Sequence, residues 1–376
     1  MLKKLIRITT VSLSLDVLLK GQLAFLNHYF EVVGVASGKR ELQQVAEREG
    51  IRTINIPMSR EISLGQDFRS LILLIRLFIK ERPFIVHANT PKASLLSMVA
   101  AWITRVPHRI YTVTGLRFET ESGKLRRLLI AMEKITCRCA TKVIPEGEGV
   151  KNTLIKEKIT KKPLKVILHG NINGVDTQHY DRTVHVNLLA SGIREADKFT
   201  FCFVGRMVKD KGINELVSAF IKLYEEYPDI RLILVGPFEK ELDPVLPETE
   251  HRILNHPAIS FAGFQEDIRP YLAASDALVF PSYREGFPNV VLQAGAMGLP
   301  SIVTDINGCN EIIEEGVNGV IIPPRSVEKL YQAMKYFVEH RNEEVPEMAR
   351  RARPAIVERF DQHKVWEALL AQYQSL

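Results

Sequence analysis

Short, unbroken apolar runs alternate with amphipathic stretches along the whole 376-residue chain, and that alternation leaves few folds open. In the first half the runs at 5–11, 31–36, 52–56, 84–88, 109–113, 142–145 and 164–168 read as strands. Helical periodicity lies between them, near 40–49, 65–82, 92–104 and 122–140. In the last of these, Leu125, Leu128, Leu129, Met132 and Ile135 recur at three and four, as one apolar helix face requires. Strands that are apolar throughout belong to a parallel sheet covered by helices on both faces. The pattern then restarts, with strands at 199–204, 230–235, 258–261, 277–280, 300–303 and 319–322. Helices are expected at 212–227, 266–274, 289–298, 309–315, 326–340 and 343–358, with a last one near 362–375.

A single core stops growing near ~250–300 residues, so a chain of this length is read as two domains. The segment 171–176, Asn-Ile-Asn-Gly-Val-Asp, has turn residues without apolar period and is the expected hinge. The fold class is therefore α/β, two doubly wound Rossmann-like domains facing each other across a cleft, where such sheets bind ligands. The expected bounds are 1–176, 177–358 and a terminal helix 359–376 that packs back on the first domain.

Composition sharpens this reading through charge. Residues 1–176 carry 29 Lys and Arg against 15 Asp and Glu, a net of +14, and residues 177–376 carry 21 against 29, a net of −8. Together they give the mild +6 of the whole chain. A basic half of this kind is expected to face something anionic. The four cysteines, 137, 139, 202 and 309, form no CxxC pair and are read as reduced thiols of a cytosolic protein. The start, Met1-Leu2-Lys3-Lys4 and an apolar stretch to Leu19, faintly resembles a signal peptide, but Arg7 and Asp16 interrupt it and it is read as a first buried strand. No apolar run approaches the ~20 residues of a bilayer span.

Several chemistries lack their residues. There is no GxGxxG opening a helix, no GxxxxGK[ST], no HExxH, no GxSxG and no Asp-x-Asp pair. What stands out is a distributed anion site in the second half. Gly205-Arg206 ends a strand and Lys211-Gly212 opens the next helix. Gly205 allows a ligand close to the backbone, and Arg206, Lys211 and the positive helix end suit a diphosphate. The run Pro281-Ser282-Tyr283-Arg284-Glu285-Gly286-Phe287-Pro288-Asn289 follows a buried strand and enters a helix that carries Gln293 one turn on. Backbone N–H groups at such a helix start suit a phosphate or a sugar hydroxyl. A third strand-to-helix turn, 304–311, lies at the same edge.

Taken together, 205–311 resembles the retaining family-4 glycosyltransferases of the GT-B fold. In the first half, Lys20-Gly21-Gln22, Val86-His87-Ala88-Asn89-Thr90-Pro91-Lys92-Ala93 and Tyr111-Thr112-Val113-Thr114-Gly115-Leu116 look like the subgroup that builds bacterial capsule, O-antigen and related lipid-linked glycans. The resemblance implies catalytic roles for Arg206, Lys211 and Glu285, the last touching donor-sugar hydroxyls. It implies donor contacts at Gly205, Gly236, Phe264, Phe287, Pro288, Asn289 and Gln293. The family has a second glutamate where this chain has Gln293, on the ribose of the nucleotide; an amide keeps an acceptor there but loses charge assistance worth roughly 1 kcal/mol. Gly236-Pro237-Phe238 matches the turn beside the base, 239–250 is read as a solvated acidic loop, and Asp267 as either a base contact or a helix cap. Gly21, Gln22, His87, Asn89, Lys92 and Thr114 are placed on the acceptor or donor-sugar side. Relatives often have histidine where Thr114 stands.

The implied activity is transfer of a sugar, from UDP by family habit, to a lipid-linked saccharide with retention, with neither metal nor cofactor. The basic residues Lys124, Arg126, Arg127, Lys134 and Arg138, with a later cluster at 156–165, are expected to hold the protein peripherally at the inner, anionic face of the plasma membrane. An ordinary solvated basic face is the alternative. Three rivals stay open: a nucleotide-sugar epimerase of related fold, a silent homologue acting in a glycan-assembly complex, and a nucleic-acid-binding module. Two Trp and no aromatic-interleaved basic strand count against the last, and no nucleic acid is expected.

Overall fold

The computed structural model describes residues 2–59, 63–241 and 243–376. Met1, in the N-terminal stretch discussed above, and Leu242, in the acidic loop, lie outside the described residues. The chain forms two compact units, Met1–Gly174 together with His363–Leu376, and Val175–Gln362.

The first unit carries six strands: β1 (Lys4–Val11), β2 (Glu31–Ser37), β3 (Arg52–Asn55), β4 (Ile85–Ala88), β5 (His108–Val113) and β6 (Lys142–Pro145). They are parallel throughout and run in the order β3-β2-β1-β4-β5-β6. The second unit repeats the design with β7 (Phe199–Val204), β8 (Ile230–Val235), β9 (Ile259–Gly263), β10 (Ala277–Phe280), β11 (Ser301–Thr304) and β12 (Gly319–Ile322). Its order is β12-β11-β10-β7-β8-β9, the same winding outward in both directions from a central pair. Helices cover both faces, so Ile6, Ile8, Phe201, Phe203, Leu278 and Val279 are fully buried. The GT-B-like α/β reading of the sequence holds for each unit.

Several expectations are corrected. The run 164–168 is not a strand: it lies in the loop after the helix Glu148–Lys156, Leu168 takes a left-handed φ of 50°, and Val166 and Ile167 reach the core from irregular backbone. The apolar N-terminus is not one strand to Leu19. β1 ends at Val11 and a helix, Ser12–Leu18, begins at once. Short helices also form at Gln22–Asn27, Glu148–Lys156, Val184–Ser191 and Pro247–Asn255, in segments that carry no helical expectation.

The helix Gly123–Cys139 turns differently from its periodicity. It buries Leu129, Glu133, Thr136 and Cys137, and leaves Leu125, Leu128 and Ile135 exposed among Lys124, Arg127, Lys134 and Arg138. Glu133 is buried because the Tyr111 hydroxyl donates to its Oε2 at 2.9 Å. Burial pushes the Glu133 carboxyl up to about 7, opposed only partly by that hydrogen bond. The folded protein therefore holds a proton that the unfolded chain releases at the ordinary carboxylate pKa. Its contribution to stability is complete at low pH and is lost as pH rises through about 7. Glu133→Gln keeps the acceptor for Tyr111 and removes this loss. Urea unfolding should show it more stable than wild type by about 2–3 kcal/mol at pH 8, with little difference at pH 4.

Candidate functional site

In an open parallel sheet, ligands bind where the winding reverses, at the carboxyl ends of the two central strands. In the second unit these are β7 and β10. β7 runs out at Gly205-Arg206, and a single helical turn, Lys209–Lys211, leads into the helix Ile213–Glu226. β10 runs out into 281–288 and then into the helix Asn289–Ala296. The crevice is therefore lined by the residues that the sequence singled out, and the chain approaches itself closely there. Gly212 has a φ of +71° and lies so near the Pro281 carbonyl that a Cβ would sit 2.2 Å from its oxygen. A Cβ on Gly236, at the end of β8, would meet the Gly205 oxygen at 1.9 Å.

Lys211 and Glu285 form an ion pair, both largely buried, with the ammonium 5.1 Å from the centre of the Phe280 ring. The Ser282 hydroxyl donates to the same carboxylate at 2.8 Å. Arg206, about half exposed, pairs with Glu239. The loop 239–250, expected to be only solvated, thus supplies a partner to the site, and its second part is the helix Pro247–Asn255. Phe287 and Pro288 are buried, the former with its ring 5.5 Å from that of Phe360. Asn289 opens the helix, and Gln293 is half-buried with no hydrogen-bond partner for its side-chain amide among the described residues. Phe264 is 71% exposed beside the end of β9. Asp267 accepts from the Arg269 backbone N–H at 3.0 Å and from its guanidinium, just before the helix Arg269–Ala273, whose N-cap position is Ile268. Among the described residues no group of three His, Cys, Asp or Glu side chains is placed to hold a metal ion.

In the first unit the sequence-selected residues are arranged otherwise. Gln22, His87 and Asn89, which the resemblance puts on the acceptor or donor-sugar side, are all buried, and Arg7 and Tyr373 explain why. Arg7 is fully buried. Its guanidinium donates to Gln22 Oε1 (2.7 Å), Tyr373 Oη (3.0 Å) and Asn89 Oδ1 (3.0 Å). It has no carboxylate partner among the described residues, and Arg7 Nε and Asn89 Nδ2 have no acceptor. Burial, and then the charge of Arg7, push His87 well below its ordinary pKa. The ring is neutral, bonded at Nδ1 to the Tyr373 hydroxyl and at Nε2 to Thr112 Oγ1 (2.7 Å). Gln22 Nε2 also donates to the Ile172 carbonyl (2.9 Å), and Asn173 Oδ1 accepts from Trp366 Nε1 (2.7 Å). Trp366 and Tyr373 belong to the last helix, Gln362–Gln374, and the Trp366 ring closes over Gly21. Lys92 is buried against Asp67 at 2.7 Å. Thr114 is half-buried, its hydroxyl donating to the Asn89 carbonyl at 2.8 Å. Arg7 had one visible signal, a charge inside an apolar strand. Tyr373 and Trp366 had none.

Comparison with known proteins is decisive for the family. A profile described as "Glycosyl transferases group 1" matches residues 198–340, and one described as "Glycosyl transferase 4-like domain" matches 22–168. The capsular polysaccharide biosynthesis glycosyltransferase CapM of Staphylococcus aureus is 32% identical over 99% of this chain and 97% of its own length. The chain belongs to the family-4 glycosyltransferases. An Escherichia coli relative, UDP-Gal:alpha-D-GlcNAc-diphosphoundecaprenol alpha-1,3-galactosyltransferase, is 30% identical over 76% of this chain and 74% of its own. Among solved structures, Anabaena Alr3699/HepE in complex with UDP superposes with a TM-score of 0.81 over all of both chains at 22% identity, which shows the GT-B fold.

In this glycosyltransferase the close approach of Gly212 to Pro281 joins the two loops of the crevice. Gly212→Ala meets both a left-handed backbone and the Pro281 carbonyl. It should lower the melting temperature and sugar-transfer rate together, at a cost above about 2 kcal/mol. Gly316→Ala, at the same φ of +71° with open space around the added carbon, should lose only the conformational part, about 1 kcal/mol, and keep its activity.

Proposed function

We propose that this glycosyltransferase moves a sugar from a UDP-sugar to a lipid-linked saccharide, with retention of configuration, in the synthesis of a bacterial surface polysaccharide. The observation that carries the reading is the Lys211–Glu285 pair at the switch point of the second sheet, with Arg206 beside it at the end of β7. The names of the relatives agree with it: one serves capsule synthesis, and another takes UDP-Gal and acts on a diphosphoundecaprenol-linked sugar.

In this proposal the second unit holds the donor. Arg206 and Lys211 take the diphosphate, whose negative charge grows as the bond to the sugar breaks, so their attraction lowers the barrier. Glu285 exchanges Lys211 for hydroxyls of the donor sugar. Gln293, with its free amide, accepts from the ribose, and the turns at Gly205, Gly236 and Phe264 lie along the nucleotide. Phe287, Pro288 and Asn289 present the helix start. The acceptor oxygen bonds the anomeric carbon on the face that the diphosphate leaves, and its proton passes to the leaving phosphate oxygen. The charge is supplied by side chains, and no metal or cofactor has a part. The first unit takes the acceptor, with Gly21 and Thr114 at its edge and Gln22, His87 and Asn89 as the framework behind them. Lys211→Ala should lower turnover by a factor on the order of 10²–10³ in a UDP-release assay with a short lipid-diphosphate saccharide. Turnover within threefold of wild type would remove Lys211 from the mechanism.

We also propose peripheral attachment to the inner face of an anionic membrane through the outer face of the helix Gly123–Cys139. What supports it is that Leu125, Leu128 and Ile135 are exposed beside Lys124, Arg127, Lys134 and Arg138, with the helix's one acid, Glu133, turned inward. Among the described residues no helix is long and apolar enough to cross a membrane. Each basic residue near an anionic leaflet contributes about 1 kcal/mol. The protein should float with vesicles containing phosphatidylglycerol and be released by salt. Changing Arg127, Lys134 and Arg138 to Gln should weaken binding about 10²-fold. Equal flotation on neutral and anionic vesicles would leave only a solvated basic face.

A further inference from the structure

The two loops of the donor crevice meet through more than the Lys211–Glu285 pair. The turn that carries Lys211 and the loop that carries Glu285 are tied by a set of contacts centred on Tyr283. The Tyr283 backbone N–H donates to the Asp210 carbonyl at 2.8 Å, and its hydroxyl donates to Glu215 Oε1 at 2.5 Å, one turn into the helix that Lys211 precedes. The Arg284 guanidinium donates to Asp210 Oδ2 at 3.0 Å. The Arg325 guanidinium covers the Tyr283 ring at 4.7 Å. From the other side, Asp243 accepts from the backbone N–H groups of Lys209, through its carbonyl at 3.0 Å, and of Asp210, through Oδ2 at 2.7 Å. The turn 209–211 is thus held on two sides, and Lys211 points from it to Glu285.

Among these contacts the Tyr283–Glu215 bond is the demanding one. Glu215 Oε2 is buried with no partner among the described residues, so the Tyr283 hydroxyl is the donor that compensates the carboxylate. Burial, and then that carboxylate, raise the Tyr283 phenol well above its ordinary pKa, so it stays a donor over the working range. A hydrogen bond between a neutral hydroxyl and a carboxylate is stronger than one between neutral groups, and here it spans the crevice. A cation that must meet charge developing on a leaving group has to be held to a fraction of an ångström.

We propose that Tyr283 and Glu215 are positioning residues for Lys211. They set the distance between the diphosphate-binding turn and the Glu285 loop without touching the donor. The proposal rests on the assignment of Lys211 to the donor diphosphate, and it adds two residues to the reaction that the family resemblance does not mark.

The test measures kcat and donor KM by UDP release, with melting temperature, for Tyr283→Phe, Glu215→Gln, Glu215→Ala and the double variant Tyr283→Phe with Glu215→Ala. Tyr283→Phe and Glu215→Ala should each lower kcat about 10-fold, with donor KM changed less than threefold. The double variant should be no worse than either single one. Glu215→Gln, whose amide oxygen still accepts from the hydroxyl, should recover kcat to within threefold of wild type. Tyr227→Phe, which removes another tyrosine–glutamate bond of the same unit (Tyr227 to Glu339, 2.7 Å), supplies the stability control. Its bond is exposed, so it should lower the melting temperature no more than Tyr283→Phe does, and it should leave kcat unchanged. Wild-type kcat in Tyr283→Phe, while Lys211→Ala is inactive, would overturn the positioning role and leave the site assignment standing. Wild-type turnover in Lys211→Ala would overturn both. A fall in kcat for Tyr227→Phe equal to that of Tyr283→Phe would reduce the bond to ordinary stability and overturn the proposal.

Discussion

The reversal of winding at the centre of the second sheet decides where its chemistry sits. Strands β7 and β10 are neighbours, but the connections that leave them run to opposite sides. Their carboxyl ends therefore open on a crevice that no crossover helix fills. A parallel sheet buried on both faces also requires each strand to hand over to a helix, so helix starts and their free N–H groups gather at the same edge. Gly205, Arg206 and Lys211 follow β7, 281–289 follows β10, and the turn beginning at Thr304 follows β11. The Thr304 hydroxyl donates to the Ser282 carbonyl, which joins the third turn to the second. Residues nearly a hundred positions apart become one site because the topology leaves them nowhere else to go.

The first sheet has the same winding and uses its centre differently. Arg7 on β1 and His87 on β4 are paired strand residues, Arg7 opposite His87 in register, and both side chains go to the face that the last helix covers. A buried guanidinium without a carboxylate is costly, and here it is solvated by neutral oxygens from Gln22, Asn89 and Tyr373 instead. Burial, and then that same positive charge, keep His87 neutral, with its Nδ1 bonded to the Tyr373 hydroxyl. The last helix is therefore part of the core of the first unit: Tyr373 completes the arginine's shell, and Trp366 holds Asn173 and covers Gly21.

How much of this was legible follows from how each signal is written in the chain. Buried parallel strands are legible because every residue of the run is apolar, and β7, β8, β10 and β12 begin and end where the runs do. The helix Ser12–Leu18 was not, because an apolar strand passes into a buried helix without a break in hydrophobicity, and seven residues are too few to show a period. The face of the helix Gly123–Cys139 was misread for a related reason. Its exposed leucines carry the same period as its buried residues, and only the buried Glu133, paired with Tyr111, shows which side faces in. In the second unit the gathering of the candidate residues at one sheet edge was legible because its glycines and cations lie in contiguous loops at strand ends. The shell of Arg7 was not, since Tyr373 lies 366 positions away and reaches it through tertiary packing alone. Glu239 and Glu215 were invisible as site residues because an acid in a polar loop or on a helix face has the pattern of a solvated one.

These acids bear on how a unit of negative net charge binds a dianionic group. The two cations assigned to the diphosphate are each paired with a carboxylate, Arg206 with Glu239 and Lys211 with Glu285, so each of these pairs is neutral as it stands. On the proposed assignment a diphosphate entering the crevice would replace carboxylates as the partner of both cations, and the binding energy would be the difference between two ion pairs. For Arg206 that exchange is nearly free, because its pair is half in water, where such pairs are worth about 0–1 kcal/mol. For Lys211 it is not, because the pair is mostly buried and Ser282 also holds the carboxylate. Release of Glu285 is compensated only if the carboxylate finds new donors at once, and a sugar bearing hydroxyls provides them where a bare nucleotide does not. In the proposed mechanism the buried pair would thus favour the complete donor over its UDP product, and would link the binding of the sugar to the exposure of the lysine proposed to act on its leaving group.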